Sequence, residues 1–125
     1  MAACATVGGA FREDSAVPDG KAVVYFYRPR AFSGSALNLL ILNKDGPVVS
    51  LRNGAYYKYV MTAESIKFWT QTGVVDTPVT VDARAGQIYY VRFKATGFLV
   101  PDQQWLVIVD RDTALKEISR CSPNE

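Results

Sequence analysis

The chain has 125 residues, enough for one domain with its own core, and 14 basic side chains against 12 acidic ones give a net charge of +2, too balanced to argue for a polyanion partner by itself. It contains no histidine, which removes the commonest general base and the commonest metal ligand, and its two cysteines, Cys4 and Cys121, are too few for a zinc site. No apolar run reaches the roughly 18 residues of a membrane-spanning helix, and many Tyr, Val and Thr with little helical periodicity point to an all-β fold.

Residues 1–19 carry no periodic pattern: small residues, then Phe11-Arg-Glu-Asp-Ser15, then Pro18-Asp-Gly20. They are expected to form a flexible N-terminal tether ahead of a single domain spanning 20–125. Lys21 to Arg30 is the first strand. Ala22, Val24 and Phe26 fall on one face and Val23, Tyr25 and Tyr27 on the other, so the strand should be covered on both sides. Pro29 ends its pairing. Leu37 to Leu42 and Val48 to Leu51 read as strands joined by the turn Asn43-Lys-Asp-Gly46. Tyr56 to Met61 and Ser65 to Gln71 follow, connected through Thr62-Ala-Glu64, with Ile66 and Phe68 sharing a face. Thr77 to Ala83 alternates Val79, Val81 and Ala83 with Thr80 and Asp82, and is expected to hairpin into Gly86 to Ala95.

That segment is the clearest strand in the chain. Tyr89, Val91, Phe93 and Ala95 make a core face, while Ile88, Tyr90, Arg92 and Lys94 make a face that begins apolar and ends cationic, as in a strand running out to solvent. Phe98-Leu-Val-Pro101 reads as an exposed apolar loop, and Gln104 to Asp110 as the last strand. Asp112 to Arg120 is the helix candidate, with Asp112 as its cap and Leu115 and Ile118 on one face. The architecture expected from this series is an all-β antiparallel β-sandwich of about seven or eight strands with a short C-terminal helix. Its core would hold Val24, Phe26, Tyr89, Val91, Phe93, Val107, Ile108 and one of Trp105 and Leu106.

Five segments, in this order, carry a resemblance: Tyr27-Arg-Pro29, Asn53-Gly-Ala-Tyr56, Ala85-Gly-Gln-Ile-Tyr-Tyr-Val91, Leu106-Val-Ile-Val-Asp110 and Leu115-Lys-Glu-Ile-Ser-Arg-Cys121. Together they resemble, over about residues 20 to 122, a bacterial lipoprotein family classed as domain of unknown function 2846. The chain departs from it at Met61-Thr-Ala-Glu-Ser65, where the family often has a Pro-Gly turn. The resemblance implies a small β-sandwich of the cell envelope, without catalytic residues. A second likeness lies at the N-terminus, where Ala2-Ala-Cys4-Ala5 is similar to the end of a lipoprotein signal peptide. On that likeness, the natural precursor is expected to have a signal peptide upstream of Met1 and lipid attachment at Cys4. Membrane would then be a partner through the lipid, and the domain would face the periplasm. The absence of Asp at position 5 suggests the outer membrane on the sorting pattern of such proteins.

Three function classes compete. Tyr25-Phe-Tyr-Arg28, Tyr56-Tyr-Lys-Tyr59 and Tyr89-Tyr-Val-Arg92 interleave aromatic and basic residues, as an OB-like binder of single-stranded nucleic acid or another polyanion would. The plainer reading puts one Tyr of each pair in the core. Asp76, Asp82, Asp102, Asp110 and Asp112 supply carboxylates for a small hydrolase, but nothing places two of them together, and no nucleophile elbow, phosphate loop or metal spacing occurs. Cys121 reads as a small buried hydrophobe. The resulting expectation is a non-enzymatic envelope module with no cofactor, no metal and no nucleic-acid partner, which binds or scaffolds an unknown envelope protein or ligand. Its candidate binding surface is Tyr90, Arg92 and Lys94 with Phe98 and Leu99 beside them.

Overall fold

The computed structural model describes residues 11, 13, 16–31, 39–70, 78–96 and 103–124. Nine strands and one helix are formed among them, in the order β1 (Lys21–Tyr27), β2 (Leu39–Asn43), β3 (Gly46–Leu51), β4 (Ala55–Thr62), β5 (Ser65–Thr70), β6 (Val79–Asp82), β7 (Ile88–Thr96), β8 (Gln103–Val109), α1 (Arg111–Ile118) and β9 (Ser122–Pro123). The strands make two sheets, β8-β7-β1-β4-β9 and β3-β2-β5-β6, so the all-β two-sheet architecture read from the alternation is the one the chain adopts.

The centre of the larger sheet is β1, and both of its faces are used. Ala22, Val24 and Phe26 are fully buried against the smaller sheet, in a core shared with Leu39, Ile41, Phe68, Val81, Val91, Phe93 and Leu106. Phe26 meets Phe68 edge to face at 4.9 Å between ring centroids, which joins the two sheets through aromatic contact. On the opposite face Val23, Tyr25 and Tyr27 are covered by Ala114 and Ile118 of α1, by Cys121 and by Phe11. A two-sided apolar strand can only be central, and this layering of sheet, sheet and helix follows from it.

Several details differ from the pattern expected of the sequence. The sandwich is not purely antiparallel: β1 pairs with β7 in parallel, Tyr25 opposite Tyr90 and Tyr27 opposite Arg92, and β4 pairs with β9 in parallel. The expected hairpin from β6 into β7 does not form. Instead Ala83 N donates to Glu64 O (3.1 Å) on the smaller sheet and Gly86 N donates to Lys21 O (2.8 Å) on the larger one, so the chain crosses between sheets over three residues. Two strands with one apolar face each can pair edge to edge or face each other across a core, and alternation alone does not choose between these. The Tyr89 hydroxyl holds the crossing, accepting from Arg84 N (2.9 Å) and donating to Asp82 O (3.1 Å).

The helix begins two residues earlier than expected, because Asp110 and not Asp112 is its cap: the Asp110 carboxylate accepts from Thr113 N at 3.0 Å, and Asp112 lies inside the first turn. Of the expected core residues, Leu106 rather than Trp105 is the buried member of its pair, and Ile108, on the edge strand β8, is 45% exposed. The domain also starts before residue 20. Phe11 is buried, edge-on to Tyr25 and to Tyr56 with ring centroids 5.0 Å apart in each case, because α1 alone does not cover the outer face of β1 and β4. The expected tether is therefore shorter than 1–19 on its folded side.

Candidate functional site

The parallel pairing of β1 and β7 brings the C-terminal ends of the two strands side by side, and the cationic residues at those ends meet there. Beyond β1 the chain continues as Arg28-Pro-Arg-Ala31, pinned to the turn between β3 and β4. Arg28 N donates to Ala55 O and Gly54 N donates to Arg28 O, each at 2.9 Å. The Asn53 amide clasps Ala31 from both sides, accepting from its N–H (3.0 Å) and donating to its carbonyl (3.1 Å). Gly54, at φ +75°, lets Arg30 lie directly on the backbone: the positive φ favours glycine in the turn, and a Cβ there would stand 3.1 Å from the Arg30 guanidinium and push it aside by a few tenths of an ångström.

Arg28 is buried, and its charge is engaged within the fold. Its Nη1 donates to Leu51 O at 2.7 Å, and the guanidinium lies 5.5 Å from the centre of the Phe93 ring. Burial lowers its pKa, but a guanidinium starts so high that it stays charged. Arg92 reaches toward the end of α1, where Glu117 accepts both from it and from the Tyr27 hydroxyl (2.5 Å). Burial, reinforced by that carboxylate, drives the Tyr27 pKa far above its ordinary value, so the phenol stays a proton donor to Glu117. Arg92 Nε is buried without a hydrogen-bond acceptor among the described residues.

Two adjoining clefts open around these groups. One, of about 190 Å³, is lined by Arg28, Arg30, Asn53, Arg92, Phe93 and Lys94 among others; the second, of about 260 Å³, by Pro29, Arg30, Arg92, Glu117, Arg120 and Cys121. Pro29, Arg30 and Arg92 belong to both. The cations come from three directions: the segment after β1, the end of β7 and the end of α1. Among the described lining residues Glu117 is the single carboxylate, and it is already held by Arg92. Cys121 sits in the second wall as a free thiol, its pKa pushed up to about 11 mainly by burial. Such a set of fixed positive groups can hold an anion. Guanidinium and ammonium groups do not exchange protons readily near neutral pH, so they position and neutralise rather than transfer protons.

Of the expected surface residues, Arg92 and Lys94 stand on this site, and Lys94 is exposed. Tyr90 is not on an open surface as its place on the outer face of β7 suggested. It is 2% exposed, stacked on Tyr25 at 5.5 Å, and its hydroxyl donates to Glu13. The helix and the segment around Phe11 cover the first half of β7, and only its cationic end emerges. Phe98, Leu99 and Cys4 lie outside the described residues. Of the tyrosines of the aromatic-basic strands, Tyr25, Tyr27 and Tyr90 are buried in packing, and Tyr56, Tyr57, Tyr59 and Tyr89 are half-buried. Arg28, Arg30, Asn53 and Arg120 are not part of the candidate binding surface expected from the sequence, although Arg-Pro-Arg directly after a strand end is a usable signal. What it lacked was the knowledge that β1 and β7 run parallel.

Among the described residues, no group of three or more His, Cys, Asp or Glu is placed to hold a metal ion, and no helix is long and apolar enough to cross a membrane. Comparison with protein-family models, curated proteins and solved structures gave no match.

Proposed function

We propose that this chain is a non-enzymatic binding module of the bacterial cell envelope, similar in kind to the lipoproteins of domain of unknown function 2846. It would be tethered by lipid on Cys4 of its precursor, face the periplasm from the outer membrane, and engage another envelope component through the cleft at the ends of β1 and β7. The observation that carries the binding reading is that Arg30 and Arg92 line two adjoining clefts, with Lys94 in one and Arg120 in the other, while Glu117, the carboxylate among their described lining residues, is already paired with Arg92. The tether rests on the small residues before Cys4 and on Ala5-Thr-Val-Gly-Gly9 after it, a composition suited to a flexible spacer between bilayer and domain. Two or three acyl chains on such a cysteine hold a protein on a bilayer where one chain binds only marginally.

The test has two parts. Expressed from its natural precursor, the wild type should sediment with membranes and Cys4→Ser should be released; both remaining soluble removes the anchor and the envelope location. Capture from envelope extracts should be lost when Arg92→Ala and Lys94→Ala are combined in a variant shown to be folded. Capture unchanged by the pair removes the cleft as the binding site.

A further inference from the structure

We propose that the paired clefts beyond β1 and β7 are a binding site for a phosphate group, with Arg30, shared by both clefts, as the central ligand-contacting cation, Lys94 in the first cleft and Arg120 in the second as flanking cations, and Arg92 as the bridge between the ligand and the fold. This deepens the binding reading above and rests on it.

The cleft is constructed rather than an accident of surface charge. The Arg30 guanidinium lies against Gly54, where a Cβ would stand 3.1 Å from it, and the segment carrying Arg30 is fixed by the Asn53 clasp and by hydrogen bonds from both sides. Preorganisation of this kind lowers the ordering cost that a flexible surface arginine incurs on binding. Glu117 divides the labour. It takes one guanidinium nitrogen of Arg92 and the Tyr27 proton, leaving Arg30, Arg120 and Lys94 with no carboxylate partner among the described residues. Arg92 lines both clefts, and its Nε is buried without an acceptor among the described residues.

Two effects oppose an anion here: the Glu117 charge and the negative end of α1, which closes at Ser119. Glu117 is neutralised in place by Arg92, and the helix end amounts to about half a charge shared with Arg120 beside it. A surplus of positive charge remains. Its arrangement on three sides favours phosphate over a planar carboxylate, because a carboxylate fills one guanidinium fork whereas a phosphate presents oxygens in several directions.

The phosphate could belong to a soluble phosphomonoester or to a lipid headgroup, and two arms separate these. In the first, the full chain is titrated with inorganic phosphate at constant ionic strength, balanced with sodium chloride, and followed by nitrogen–proton NMR. Saturable shifts are expected for the amides of residues 30–31, 53–54, 92–94 and 119–121. Arg30→Gln and Arg120→Gln, both at exposed positions, should each weaken binding about tenfold. Lys67→Gln, exposed on the smaller sheet, should leave binding unchanged. Circular dichroism confirms that each variant is folded. In the second arm, sedimentation compares phosphatidylcholine vesicles with and without phosphatidic acid. Phosphatidic-acid-dependent binding that is lost in the arginine variants identifies a headgroup, whereas phosphate saturation without vesicle binding identifies a soluble ligand. Shifts that grow without saturation, that chloride alone reproduces, or that persist in Arg30→Gln with Arg120→Gln overturn the site. Neither arm involves the lipid anchor or the envelope extract, so failure here is distinct from failure of the binding-module reading.

Discussion

At the scale of single residues, Cys121 shows how position sets chemistry. It follows α1, its amide donates to Ile118 O (2.9 Å), and its sulfur lies 3.9 Å from the carbonyls of Arg28 and Glu117. It is 3% exposed, and burial raises its pKa from 9.0 to about 11, while Arg30 and Arg92 only partly offset the rise. Because the thiolate is the reactive form, a rise of this size leaves about a hundredfold less of it near neutral pH than an ordinary thiol has. In a Cys4→Ser background, iodoacetamide should modify folded Cys121 at least about a hundredfold more slowly than the urea-unfolded chain. Equal rates in the two states would mean that the thiol is open and that α1 does not close over it. The reading of this residue as a small buried hydrophobe needed only its place after an amphipathic helix, and was accessible to sequence reasoning.

At the scale of elements, the outer face of the larger sheet is covered by two unequal pieces. The helix contributes Ala114 and Ile118; the segment before β1 contributes Phe11, with Glu13 accepting from Tyr90 and from Arg111 (2.8 Å). Phe11 inserts between Tyr25 and Tyr56 on the outer face, outside the core between the two sheets. Phe11→Ala should therefore cost about 1–2 kcal/mol in urea unfolding and expose the N-terminal segment to protease, while Phe26→Ala, between the sheets, should cost ~3–5 kcal/mol. Equal costs would make the segment part of the cooperative core. The alternation of β1 and β7 identified Ala22, Val24, Phe26, Val91 and Phe93 as facing the inter-sheet core, since a period of two is a local property, but Ala95, expected on the same face, is exposed. The alternation did not reveal that Phe11 covers Tyr25, that β6 and β7 lie in different sheets, or that Tyr90 is enclosed while Lys94, on the same face, is open. Those outcomes depend on which strands become neighbours, which is decided by contacts far apart in the chain.

At the scale of the whole molecule, the absence of histidine shapes how stability responds to pH. On the acid side, Glu13 is held below its ordinary 4.5, first by its hydrogen bond from Arg111 against some desolvation, then by Tyr90, and Asp110 is held below 3.8 by the Thr113 amide it caps. A carboxylate whose pKa is lower folded than unfolded stabilises the fold above its ordinary value and loses that contribution as pH falls through the folded one. Asp110 is open to solvent, so its effect is small, while the Glu13 side chain is 15% exposed and carries the larger share. On the alkaline side the sign reverses. Cys121, raised from 9.0 to about 11, and Tyr27 and Tyr90, raised well above 10.0, each favour the folded state while protonated. Their contribution is complete below their ordinary values and is lost as pH rises toward the folded ones. Between these limits no side chain has an ordinary pKa. Scanning calorimetry should thus find a melting temperature constant within about 2 °C from about pH 5.5 to about pH 8.5, falling on both sides. In Cys121→Ala the alkaline fall should begin nearer pH 10, where the tyrosines take over. A step in stability near pH 6.5 would contradict this account, because it would require a group titrating there that neither the composition nor the packing supplies.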